Sequence, residues 1–540
     1  MQEKKYPLMG ILSATVTGNE KTLTMKGLCI LKLRGKKEII DTEHLSIDVP
    51  VKKNAGKISF HSRYGKHVGK GFRLNRFVLT FDIEEALNYD IQNKIELVYK
   101  GKYKGRILYR TTDLKKGKNR RSQVFIREGS IIYFRQSSKN SLYLTTREAN
   151  IYDYPEGEER IEKAYRKAKK SRKNLIMMYE KNCSRYQESA SILYEKLIDA
   201  GYDNVYYVVN SDNKEIRNLE EKYKKNLIAK DSDEHLELFF ASNTFISTET
   251  TDHALQLRST NKKVIEKQNH KDLKYIFLQH GVMYMVSLNS DKRVGFREKK
   301  HKFQRTVVSS EAEARHFIEL AGMPREKLYI TGLAKFDTSY QHEDADKIII
   351  MPTWRRWEMN RAKEDLQGTG YYKMIKKMYD AVPENLKEKV IILPHPLMAD
   401  EFAGEEAFGK HLVLGESYDK ILRSCDLLIT DYSSVSYDVF HRGANIIFYW
   451  AEKDECMEKY GEGTYLMLNN ENVFGDICMD EEEIRKAIQA NYKQKQPQKY
   501  VDRYNKIVEF RDGHNTDRII DCLIKDGIIE EKDIGNKDTE

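Results

Sequence analysis

The sequence predicts an α/β protein made of two facing Rossmann-like domains, preceded by an all-β domain that is a sandwich or a barrel. Three observations carry this. From residue 174 onward, short apolar runs alternate with helical stretches, which implies parallel sheets wound on both faces. That alternation occurs as two series in tandem. Before residue 155 the runs are short and rich in β-branched and aromatic residues, with Gly, Asn, Asp and Lys clusters between them, as in an antiparallel sandwich or barrel.

The elements follow in order. Residues 1–155 hold the β-type runs Gly27–Leu33, Phe77–Phe81, Ile95–Tyr99, Arg106–Tyr109, Gln123–Ile126, Ser130–Phe134 and Ser141–Leu144, with no catalytic motif among them. Residues 156–173 read as a linker helix with a thin apolar stripe of Ile161, Tyr165 and Ala168, suited to lying on a membrane surface. The first α/β series, 174–335, has strands at Asn174–Met178, Val205–Val209, Thr244–Ser247, Tyr275–Gln279, Thr306–Ser309 and Leu328–Ile330. The second, 336–525, has strands at Lys347–Met351, Lys389–Leu393, Leu427–Thr430 and Ile446–Tyr449. The charged end, 526–540, is expected to fray.

Composition narrows the function. The chain has 540 residues, 40% hydrophobic and 33% charged, enough for two to four globular domains. Six cysteines form no C-x-x-C pair, so free thiols in a reducing compartment are expected. No apolar run is long enough to span a bilayer, and the start lacks a signal-peptide core. These points place the protein in the cytoplasm. The net charge of +10 gathers at Lys115–Arg121, Arg160–Lys173 and Arg293–Arg305, which favours an anionic partner such as a membrane surface. No nucleic-acid motif is present.

The candidate chemistry sits where strands end. Tyr275–Leu278 runs into Gln279-His280-Gly281, and His280 can serve as a general base beside a glycine that permits close approach. Val390–Leu393 runs into Pro394-His395-Pro396, whose prolines fix the imidazole's direction for contact with a phosphate or leaving group. Leu427–Ile429 runs into Thr430-Asp431-Tyr432-Ser433-Ser434 and a helix. There Ser433, Ser434 and the free N–H groups of the first turn make an anion site. Asp438, one turn on, can orient a serine, a histidine or a substrate hydroxyl. The arginines of Pro352-Thr353-Trp354-Arg355-Arg356 can hold a diphosphate. Gly281, Gly332 and Asp431 are secondary candidates, and Thr331–Asp337 reads as the loop joining the two domains. No carboxylate cluster has metal-ligand spacing.

The segments Gln279–Gly281, Pro352–Arg355, Pro394–Pro396 and Thr430–Asp438, in this order over residues 174–520, resemble the CDP-glycerol glycerophosphotransferases of teichoic-acid and capsule synthesis. The resemblance implies a GT-B fold in which 174–335 receives the acceptor and 336–525 binds the nucleotide donor. It implies transfer of a polyol phosphate, glycerol phosphate first among them, from a CDP-activated donor to a hydroxyl of a lipid-linked or polymer acceptor. The CDP-polyol is a substrate, and no cofactor is implied. The enzyme would lie peripherally on the inner face of the cell membrane. His280 would be the base, and His395 would contact the diphosphate. Thr353, Arg355, Thr430, Ser433, Ser434 and Asp438 would bind the donor. Two motifs depart from the family: His280-Gly281-Val282-Met283 and Gly332–Asp337, where Ala334-Lys335 replaces Pro-Arg. The alternatives are a GT-B glycosyltransferase using a nucleotide sugar, and a non-catalytic binder of anionic polymer.

Overall fold

The computed structural model describes residues 6–19, 21–34, 42–48, 56–61, 73–83, 93–108, 125–127, 129–136, 141–170, 174–256, 259–288, 304–414 and 418–532. The Lys115–Arg121 cluster and most of Arg293–Arg305 lie outside them, as do the start of the Gln123–Ile126 run and residues 533–540. The chain divides into two compact units, Met1–Lys167 with Arg258–His270, and Ala168–Leu257 with Lys271–Glu540.

The first unit begins with a long antiparallel hairpin, β1 (Tyr6–Gly18) and β2 (Thr22–Arg34). Met9, Ile11, Ala14 and Val16 are buried, and so are Leu23, Met25, Cys29 and Leu31. A bulge between Ile11 and Ser13 shifts the alternation by one residue. Thr15, Thr17 and Lys26 face outward among the buried positions, which interrupts the apolar pattern of the hairpin.

The remaining strands are β3 (Leu45–Asp48), β4 (Gly56–His61), β5 (Arg73–Asp82), β6 (Asn93–Lys94), β7 (Glu96–Tyr99), β8 (Tyr103–Leu108), β9 (Phe125–Arg127), β10 (Ser130–Gln136) and β11 (Leu142–Glu148). They form one sheet in the order β3-β7-β8-β1-β2-β5-β4 and another in the order β6-β11-β10-β9. Both sheets feed one core, where Phe81 meets Phe134 at 5.6 Å between ring centroids. Two sheets over one core make this a sandwich.

The linker helix spans Pro155–Ala168 and buries Ile161 and Ala164. A second helix, Lys262–Gln268, joins it: Lys263 pairs with Glu162 and lies 4.7 Å over the Tyr165 ring. Residues 258–270 therefore belong with the β-rich unit, not with the 174–335 domain expected from sequence.

The second unit contains two parallel sheets. The first has β12 (Ile176–Tyr179), β13 (Val205–Val209), β14 (Leu227–Ala229), β15 (Thr244–Ser247), β16 (Lys274–Phe277), β17 (Arg305–Val308) and β18 (Leu328–Ile330), ordered β14-β13-β12-β15-β16-β17-β18. The second has β19 (Lys347–Ile350), β20 (Val390–Ile392), β21 (Cys425–Thr430), β22 (Asn445–Tyr449) and β23 (Asp476–Cys478), ordered β20-β19-β21-β22-β23. Every residue of β12, β15 and β22 is buried, as strands covered on both faces require. The strand order reverses between β12 and β15 and again between β19 and β21, and such switch points open crevices at the carboxyl ends.

The end of the chain corrects the expected boundary at 525. Helix Asn515–Lys525 returns to the first sheet's side of the unit: Lys196 pairs with Asp517 at 2.5 Å, and Tyr329 donates to Asp526 at 2.5 Å. Asp337 caps this helix, accepting from the N–H groups of Asn515 (3.0 Å) and Thr516 (2.7 Å) and from the Thr516 hydroxyl (2.6 Å). Gly332, at φ +80°, gives the Asn515 amide room that a Cβ would fill, so its role is in packing. Residues 526–532 are packed rather than frayed: Ile528 and Ile529 are buried, and Tyr202 donates to the Glu530 carbonyl at 2.5 Å. Replacing Asp337 with Ala leaves three donors without their acceptor. Urea unfolding of D337A is expected to show a loss of about 2 kcal/mol.

Candidate active site

The apolar strands leave their polar residues at their carboxyl ends, and four of those ends meet. After β16, Gln279 takes the left-handed conformation (φ +59°), fully buried, and its side-chain amide donates to the Val307 carbonyl at 2.5 Å. This turn puts the His280 side chain at an exposed position. Gly281 follows and faces the second sheet, where a Cβ built on it would lie 3.8 Å from the Ser434 hydroxyl. A cleft of about 550 Å³ is lined by His280 and Gly281, by Thr353, Trp354 and Arg356 after β19, by His395 after β20, and by Ser433 and Ser434 after β21.

Thr430, Asp431, Arg355 and Asp438 do not line the cleft; they lie behind it. The Thr430 hydroxyl donates to the Met351 carbonyl at 2.7 Å. Asp431 is buried and accepts from the Thr353 N–H (2.8 Å) and the Tyr432 N–H (2.5 Å), tying the ends of β19 and β21 together. Burial pushes its pKa up to about 6, and those N–H groups offset only part of the effect. Arg355 is 5% exposed and pairs with Glu452 at 2.5 Å. The arginine that faces the cleft is Arg356, 5.8 Å over Trp354 and 5.9 Å over Tyr460. Two adjacent arginines look alike in a sequence; only the burial of Glu452's partner separates them. Asp438 meets Lys335 across 2.8 Å rather than a serine or histidine.

Ser434 occupies the N-cap of helix Val435–Arg442, yet its hydroxyl makes no capping bond. Ser433 accepts from the Val435 N–H at 3.4 Å. The Ser434 hydroxyl and the helix's positive end are thus available to an anion in the cleft. Glu249, at the end of β15, holds the Asn182 N–H at 2.7 Å and His253 Nδ1 at 3.0 Å.

His395 stacks on Trp354, with centroids 5.3 Å apart and rings inclined by 26°. Its backbone N–H donates to the Tyr371 hydroxyl at 3.0 Å, and its Nδ1 accepts from the Leu397 N–H at 3.2 Å. Burial lowers its pKa to about 4, so the ring is neutral at working pH. With Nδ1 accepting, the hydrogen resides on Nε2, which makes His395 a hydrogen-bond donor and not a cation. An NMR titration should show His395 as the Nε2–H tautomer at neutral pH, with no protonation until the pH approaches about 4. Since folding depresses this pKa, its contribution to stability is complete above the unfolded value of about 6.5 and is lost as pH falls towards the folded one.

The model of the family described as CDP-Glycerol:Poly(glycerophosphate) glycerophosphotransferase matches residues 163–525. The chain is 24% identical over 348 residues to the minor teichoic acid biosynthesis protein GgaB of Bacillus subtilis (strain 168). That match takes in 59% of this chain and spans 36%, about a third, of the relative's length. Among solved structures, the wall teichoic acid polymerase TagF is similar at a TM-score of 0.47 and 17% identity, over 68% of this chain and 94% of that one. A UDP-N-acetylglucosamine 2-epimerase from Listeria monocytogenes is similar at a TM-score of 0.37 and 12% identity, over 67% and 98%. The four strand-end motifs all fall within the matched residues, and the chain belongs to the CDP-glycerol:poly(glycerophosphate) glycerophosphotransferase family.

Proposed function

We propose that the second unit is a GT-B transferase that moves glycerol phosphate from CDP-glycerol to a hydroxyl of a lipid-linked or polymer acceptor in teichoic-acid or capsule synthesis. The observation that carries this reading is the apposition of Gly281, next to the exposed His280, with the Ser434 hydroxyl at the positive end of a helix. A base and an anion cradle face each other across one cleft.

The donor diphosphate lies against Ser433, Ser434 and the first turn of helix Val435–Arg442, with Arg356 supplying charge and His395 donating from Nε2. His280 takes the proton of the acceptor hydroxyl. The hydroxyl oxygen forms a bond to the β-phosphorus, the bond from that phosphorus to the bridging oxygen breaks, and CMP leaves with the electron pair. Positioning and charge stabilisation supply most of the rate, as in other phosphoryl transfers. The enzyme works peripherally at the cytoplasmic face of the membrane. The net charge of +10 supports an anionic surface as partner, and no described helix is long and apolar enough to cross a membrane.

Incubation with CDP-glycerol and acceptor should release CMP. His280→Ala is expected to lower kcat about 10²- to 10⁴-fold, the usual worth of a general base. Release of a nucleoside diphosphate from a nucleotide sugar instead would overturn the reading. The two arginines should separate in the same assay and in melting. R356A folds normally but raises the KM for CDP-glycerol about tenfold or more, through a lost charged contact. R355A lowers the melting temperature, since it strands Glu452 and Asp431.

A further inference from the structure

We propose that Lys335 is a positioning residue: it ties the backbone of the His280 loop to the helix that cradles the donor phosphates, and so sets the base's position relative to the donor. Its ammonium donates to the His280 carbonyl at 2.8 Å and lies 2.8 Å from the Asp438 carboxylate. Both side chains are largely enclosed, 13% and 14% exposed. Lysine suits this place because its compact ammonium can donate to the carbonyl while its charge pairs with the carboxylate.

The lysine is held from behind. It sits in the 3₁₀ turn Ala334–Phe336, and its N–H donates to the Ser189 hydroxyl at 3.3 Å. Next to it, Phe336 stacks on His441, with centroids 4.3 Å apart and rings 15° from parallel. Asp438 and His441 are three residues apart on helix Val435–Arg442, so one face of that helix grips the turn twice. The same helix presents Ser434 to the cleft at its other end. One rigid body therefore carries the anion site, clamps the turn and, through Lys335, holds the carbonyl of the residue whose side chain acts as base. The loop's two flanks are fixed by the buried Gln279 amide on the Val307 carbonyl and by the Met283 N–H on Glu313, and Lys335 holds the carbonyl between them.

Lys335 has this role only in the transfer proposed above, so the test separates the two ideas. K335M, K335R and D438N are compared with the parent protein by steady-state CMP release from CDP-glycerol and by amide hydrogen exchange across residues 279–283. The expectation is that K335M loses about 30-fold or more in kcat while the KM for CDP-glycerol stays within about threefold, as when an interaction acts on the transition state. K335R should recover most of kcat. The K335M/D438N pair should lose no more than K335M alone, because both break one link. Exchange of the 279–283 amides should quicken in K335M and D438N and leave β16 unchanged. A loss confined to the KM for CDP-glycerol would make Lys335 a phosphate contact and overturn the positioning role. So would unchanged exchange in K335M, or K335R no better than K335M. If the parent releases no CMP, the transfer reading fails, and the exchange experiment still decides whether Lys335 restrains the loop.

Discussion

A parallel strand covered on both faces has no place for a reactive side chain except its end. This constraint organises the second unit. β12, β15 and β22 are buried at every position, so polar chemistry is expelled to the carboxyl edge of each sheet, and each reversal of strand order opens a crevice there. The second sheet reverses between β19 and β21. After those two strands, Thr353, Trp354 and Arg356 and then Ser433 and Ser434 line the cleft, together with His280 and Gly281 after β16 and His395 after β20.

An edge of this kind needs support from below. Asp431 accepts backbone N–H groups from both strand ends, and the Trp450 indole donates to its carbonyl at 3.2 Å. The buried Arg355 pairs with the partly exposed Glu452 beneath the same loops. Removing one partner of such a pair costs far more than the pair contributes by itself, because a charge is left without compensation. The lining residues are thus held by a buried polar layer that never touches the cleft.

Burial also divides the labour of the two histidines. His395, wedged against Trp354, is neutral, and its tautomer is set by the Leu397 N–H. His280 stands exposed on a left-handed turn, and its backbone carbonyl is held by Lys335, from the turn after β18, which pairs with Asp438 of helix Val435–Arg442. One ring is set to donate a hydrogen bond from Nε2, and the other stands exposed at the cleft.

The α/β rhythm, the order of the strand-end motifs and the membership of His280, His395, Ser433 and Ser434 in one cleft were legible in the sequence, because apolar strand runs and the polar residues after them are local patterns. The β1–β2 hairpin was only half legible, since its buried face is interleaved with Thr and Lys. Long-range packing was not legible at all. Nothing local says that Lys263 turns to Glu162 and Tyr165, or that helix Asn515–Lys525 is capped by Asp337 and crosses back to the first sheet's side. Nor does any local pattern say that Arg355 is buried against Glu452 while Arg356 faces the cleft. The sequence by itself determined which segments end buried strands in polar side chains, since hydrophobic burial places strands and their ends. Only the tertiary structure decided which side chains reach the cleft and which stand behind it, because that depends on charged partners up to about a hundred residues away in the chain meeting in a low-dielectric interior.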